Sequence, residues 1–242
     1  MSDFNSLSTT ANEKQKLVLR LCIWAGVIEP ILFVLIFSLD GILKPGYSAI
    51  DQPISYLGVG SNGWIQSANF IILGLSVILF AFGFFRRMEP LITRLPLLAS
   101  TILLLLVGLA FVNDGIFIPA ASAESQNALH AVLHTIGFEV IFFSLPIAYL
   151  IIGWQLWKIT AWRGYSLYSI IAGLITVIPA LFILFSLSAA PGTQNPSFTG
   201  LINRIFVVEA LAWYVVMGIR MLSLQEEPGN VGAAPNSQHN RL

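Results

Sequence analysis

Six stretches of the chain stay apolar for long enough to cross a bilayer: Cys22–Leu39, Ile65–Phe85, Leu95–Val112, Leu129–Ile152, Tyr165–Leu187 and Gly200–Leu222. A hydrocarbon core about 30 Å thick takes about 20 helical residues. The runs are continuously apolar, whereas barrel strands alternate between lipid and lumen. Within lipid, only a helix or a closed barrel satisfies its own backbone. The pattern therefore predicts an all-α, polytopic protein with six transmembrane helices. Residues 1–20 read as a polar N-terminal tail, 21–222 as the membrane domain and 223–242 as a C-terminal tail. That last segment is rich in Gly, Pro, Asn and Ser with little to bury, so disorder is expected there, His239 included. No small-residue cleavage site follows the first run, which reads as an uncleaved signal-anchor.

Composition agrees. Hydrophobic residues are 56% of the chain and charged residues 10%, against roughly 25% charged in soluble proteins. Lipid must cover most of the surface. Cys22 is the only cysteine, which excludes a disulfide scaffold, and twelve basic residues balance twelve acidic ones, which excludes a basic nucleic-acid binder. Ten of the twelve Lys and Arg fall before span one, in the 2–3 and 4–5 connections, or in and after the last turn of span six. By the positive-inside rule, both termini are expected in the cytoplasm, in an inner or plasma membrane. The remaining two are Lys44, in the long outer loop Asp40–Trp64, and Arg204, just inside span six.

The outer half is expected to be acidic, with Asp40, Asp51, Asp114 and Glu124 in its loops and Glu29, Glu139 and Glu209 inside the spans. At about 1.5 Å per residue, Glu29 and Glu139 lie about 15 Å below the outer ends of their helices, and Glu209 about 12 Å below its own. An ionisable group at such depths costs about 2.5–3.5 kcal/mol on insertion scales and tends to mark a site. Three carboxyls share one nearby cation, Arg204, so the rest need protons, hydrogen bonds, water or a bound cation. These four residues are the candidates for binding substrate or protons; helix-to-helix glue is the alternative. Pro30 and Pro179 lack amide protons, which frees the carbonyls of Gly26 and Ile175 and favours kinks.

His130 and His134 stand four residues apart in span four, about 40° apart around the helix. They form half a site for a divalent metal, which Asp114, Asp51 or Asp40 could complete. Glu139 projects about 180° from His130 and is a poor third ligand. There is no phosphate loop, dinucleotide fingerprint, nucleophile elbow, paired-cysteine motif or voltage sensor.

The outer loop Tyr47-Ser48-Ala49-Ile50-Asp51-Gln52-Pro53-Ile54-Ser55-Tyr56-Leu57-Gly58, followed by Asn62-Gly63-Trp64, resembles the opening of a prokaryotic multi-pass membrane family catalogued as domain of unknown function nine-nine-eight. The likeness continues through the His130/His134 run, Ser144-Leu145-Pro146-Ile147-Ala148, Trp162-Arg163-Gly164-Tyr165-Ser166 and Gly200-Leu201-Ile202-Asn203-Arg204-Ile205 before Trp213. Members carry an acidic residue after a Phe in the third outer segment. Phe117-Ile118-Pro119-Ala120-Ala121 has none, so if that acid is a ligand or catalyst, this chain either uses Asp114 or Glu124 instead or has lost the activity. It implies six helices and brings no reaction with it.

Three functions fit these residues, each built around a polar cavity opening outward between spans one, four and six. The first is a metal-assisted hydrolase of a lipid or small amphiphile, with His130, His134, Asp114 and Asp51 as catalytic and metal-binding residues and Arg204 receiving an anionic headgroup. The second is a proton- or cation-linked carrier or sensor using Glu29, Glu139 and Glu209. The third is a structural assembly partner.

Overall fold

Apolar length makes the helices, and small residues and side-chain hydrogen bonds assemble them. The computed structural model describes residues 2–119, 128–188 and 198–224; residues 225–242 of the expected disordered tail, with His239, and Glu124 lie outside these, while Ser223 still belongs to the last helix. Six helices follow in order: α1 (Ser2–Leu43), α2 (Trp64–Met88), α3 (Arg94–Ile116), α4 (Ala128–Leu156), α5 (Arg163–Ser188) and α6 (Thr199–Ser223). All six are long and apolar enough to cross a membrane. Short 3₁₀ turns, Ile54–Gly58 and Thr160–Trp162, stand in the α1–α2 and α4–α5 connections. α1 is far longer than its apolar run, because the helix continues N-terminally through the polar residues expected to form a tail. It also continues through Pro30.

Each helix packs against its neighbours in sequence, and α6 returns to α1, closing a ring. Neighbours are antiparallel: Gly83 near the end of α2 meets Ile23 near the start of the α1 span, while Phe33 packs on Phe70. The start of α1 and the end of α6 therefore share one end of the bundle, the termini end. The opposite end carries the α1–α2 connection and is called the loop end.

Lipid tails are as apolar as leucine, so burying leucine between helices gains little over leaving it in lipid. The bundle reflects that. Leu35, Ile72, Leu109, Ile136 and Ile171 face outward, while the inside is aromatic. Tyr149 stacks on Trp213 at 4.3 Å between centroids, with Phe80, Phe84 and Tyr214 around them. Such pairs contribute about 0.5–1.5 kcal/mol each beyond area. Between α2 and α3 the backbones touch through glycine: a Cβ on Gly74 would stand 2.5 Å from the Gly108 carbonyl oxygen. Hydrogen bonds also cross between helices. Tyr149 donates to the Ala210 carbonyl at 2.7 Å, and Trp213 Nε1 donates to Ser169 Oγ at 2.9 Å. A lipid-bathed bundle needs contacts of this kind.

Candidate functional site

The loop end holds two polar clusters side by side. The first is a clamp. Arg204, one turn into α6, sends one guanidinium nitrogen to the carbonyls of Ala49 (2.7 Å), Gln52 (3.0 Å) and Gly200 (2.9 Å), and the other to the Tyr47 hydroxyl. Its plane lies over Phe37 and Tyr47. Tyr47 is also within 3.1 Å of the Gln52 and Pro53 carbonyls, so its single proton has an acceptor while its lone pair receives Arg204. Burial pushes the Tyr47 phenol above its usual range, and the adjacent guanidinium pulls the other way. Lys44 completes the fastening by donating to the carbonyls of Tyr56, Leu57 and Val59 at the end of the 3₁₀ turn. A loop of twenty residues crossing a bundle end would otherwise leave these carbonyls unpaired.

Under the clamped loop lies the second cluster. A narrow cavity of about 40 Å³ is bounded by Asp114 from α3, His134 from α4, Asn203 from α6 and Ile54 of the loop, with Phe111, Phe138 and Phe206 as apolar walls. At about 10–15 Å³ per water centre it has room for a few waters. His134 Nδ1 is 3.6 Å from Asp114 Oδ1, too long for a hydrogen bond, and buried without a hydrogen-bond partner. The ring hydrogen-bonds to the Phe117 backbone. Asn113 ties the two helices by donating to the Leu133 carbonyl at 2.7 Å and to Asp114 Oδ1 at 3.3 Å. Gly137 lets α4 approach: a Cβ there would fall 2.0 Å from Asp114 Oδ1. Asn203 Oδ1 receives the Ile54 amide at 3.0 Å, which hangs the 3₁₀ turn over the cavity.

The residues singled out from sequence therefore separate. Asp114 does not belong to a loop: α3 continues to Ile116 and carries it inside, 4% exposed. Asp114 and His134 come together. His130, one turn nearer the helix end, is exposed, with Phe117 edge-on against its ring. Asp51 accepts from Ser48 Oγ at 2.6 Å within its own exposed turn, and Asp40 falls in the last turns of α1. Among the described residues no three His, Cys, Asp or Glu side chains gather into a metal-holding group. Arg204 does not meet Glu209, which instead lies 2.5 Å from Thr176 Oγ1 on α5. The Thr176 hydroxyl donates to Glu209, and the Ala172 carbonyl, 2.7 Å away, is its alternative acceptor. Glu29 is buried in α1 with Oε2 unpartnered, and Glu139 is exposed. The cavity opens among α2, α3, α4 and α6, and neither Glu29 nor Glu139 lines it.

Asn113 and Gly137 belong to no motif in the sequence, and Tyr47 and Asn203 stand out only within the family-like segments. Adjacent Asn113-Asp114 closing an apolar run was the available signal, since two polar residues in a helix's last turn need partners on a neighbouring helix.

The family model described as protein of unknown function (DUF998) matches residues 27–220. The chain belongs to that family. The match takes in all of α2, α3 and α4, and with them both polar clusters from Tyr47 to Arg204. No curated protein and no solved structure matches the chain.

Proposed function

We propose that this multi-pass membrane protein is a proton-exchanging carrier or sensor, with Asp114 and His134 as the exchanging pair. The observation that carries the reading is the buried, unpartnered Nδ1 of His134 facing the Asp114 carboxyl across 3.6 Å in a water-sized cavity. One proton shared by the two gives either neutral acid beside neutral imidazole or carboxylate beside imidazolium. Both states carry no net charge. Gaining a second proton, or losing the one, puts a net charge among phenyl rings, where it is expensive. The 3₁₀ turn hung on Asn203 lies directly over that charge and is the element it would displace. The hollow is too small for a lipid, which favours protons over the lipid hydrolase drawn from the sequence. The basic termini end is assigned to the cytoplasm on charge alone.

Infrared difference spectra between acid and alkaline pH test the reading on purified protein. Wild type should show a titrating carboxyl band that Asp114→Asn removes, with pH-dependent hydrogen exchange across residues 47–58. A spectrum without that band, or one unchanged by Asp114→Asn, overturns it. Proton flux into proteoliposomes loaded with a pH-sensitive dye then separates carrier from sensor.

A further inference from the structure

We propose that a cleft at the termini end binds the headgroup of an anionic phospholipid. α1 has 42 residues, about 63 Å at 1.5 Å per residue, twice the thickness of a hydrocarbon core. Its N-terminal part therefore extends beyond the membrane span, and residues 13–20 run beside Arg87 at the end of α2 and Leu224 after α6. Between them is a cleft of about 500 Å³ lined by Lys16, Arg20, Arg87, Glu13, Leu17 and Leu224, within the size range of small-ligand sites.

The charges do not cancel. Glu13 pairs with Lys16 at 3.2 Å, both well exposed. Arg87 gives Nε to the Met221 carbonyl at 3.2 Å, fixing its position, and its terminal nitrogens make no hydrogen bond among the described residues. Arg20 makes no hydrogen bond or ion pair there either. Two guanidinium groups thus border one cleft with donors free, the arrangement that suits phosphate oxygens. The leucines at its wall suit the glycerol and first methylenes of a lipid. Depth agrees: Trp154 and Trp157 emerge exposed at this same end, where aromatic anchors mark the headgroup level. Basic pockets between helix ends on such a surface favour anionic headgroups.

Native mass spectrometry of the full-length protein, titrated in parallel with phosphatidylglycerol and phosphatidylcholine, tests this. Wild type should retain phosphatidylglycerol preferentially. Lys16→Ala with Arg20→Ala should lower that preference about tenfold, and Arg20→Lys should restore part of it, which shows that the variant still folds. Lys158→Ala, at the same end but outside the cleft, should change nothing. Equal retention of the two lipids by wild type, or an equal loss with Lys158→Ala, overturns the proposal. So does displacement of the lipid by inorganic phosphate alone, which would assign the cleft to a soluble anion.

Discussion

The two clusters at the loop end are built from similar materials and finished differently. Around Arg204 three carbonyls and one hydroxyl receive the two terminal guanidinium nitrogens, and Lys44 donates to three more carbonyls further along the loop, although Asp40 Oδ2 nearby is buried without a partner. A few residues away, His134 Nδ1 is buried with nothing bonded to it, facing a carboxyl it does not reach. A buried polar atom without a partner costs about 1–3 kcal/mol, a cost that a water or a transferred proton in the adjoining cavity would relieve. Many bonds shared by one guanidinium hold a loop in place, whereas a titratable pair beside a cavity has room to change.

Substitutions should divide along the same line. Arg204→Ala should do most damage, about 2–4 kcal/mol, because it strips several loop carbonyls at once. Denaturant unfolding in detergent measures it, and hydrogen exchange across residues 47–58 should rise by orders of magnitude. An intact, protected loop would break the contrast. Gly137→Ala comes next, at about 1–3 kcal/mol of overpacking, since its methyl would displace the Asp114 carboxyl; the carboxyl band assigned to Asp114 should shift in the infrared. Arg204→Lys keeps the charge but loses the planar fork, and should cost about 1–2 kcal/mol with partial loop protection. Asp114→Asn reverses the pattern: stability should stay within about 1 kcal/mol of wild type or rise, while proton exchange is lost. His130→Ala, at an exposed ring, should fall within about 0.5 kcal/mol and leave the titration untouched.

All six helices are legible from apolar length alone, because twenty apolar residues in hydrocarbon have few alternatives. Helix ends are not legible where polar residues extend a helix instead of a loop, as at the start of α1 and the end of α3. α3 runs past Asn113 and Asp114 because their side chains turn inward to α4. Arg204 and Glu209 were grouped by depth, but five residues along a helix is about 140° around it, so one faces the loop and the other α5. His130 and His134 do share a face, yet one turn separates the exposed end of the helix from its buried part. Which polar residue meets which depends on the order of helices around the ring, and no periodicity within one helix encodes that order. Asn113, Gly137 and Asn203, contributed by three helices, become a set only after the ring closes.

Histidine nitrogen chemistry tests the central claim most directly. The chain has three histidines, so ¹⁵N spectra of histidine-labelled protein can be assigned with His130→Ala and a variant at His239. The account predicts that His134 titrates with a midpoint that moves when Asp114 becomes Asn, while His130 does not respond to that change. A His134 signal indifferent to residue 114 across the same pH range would contradict it.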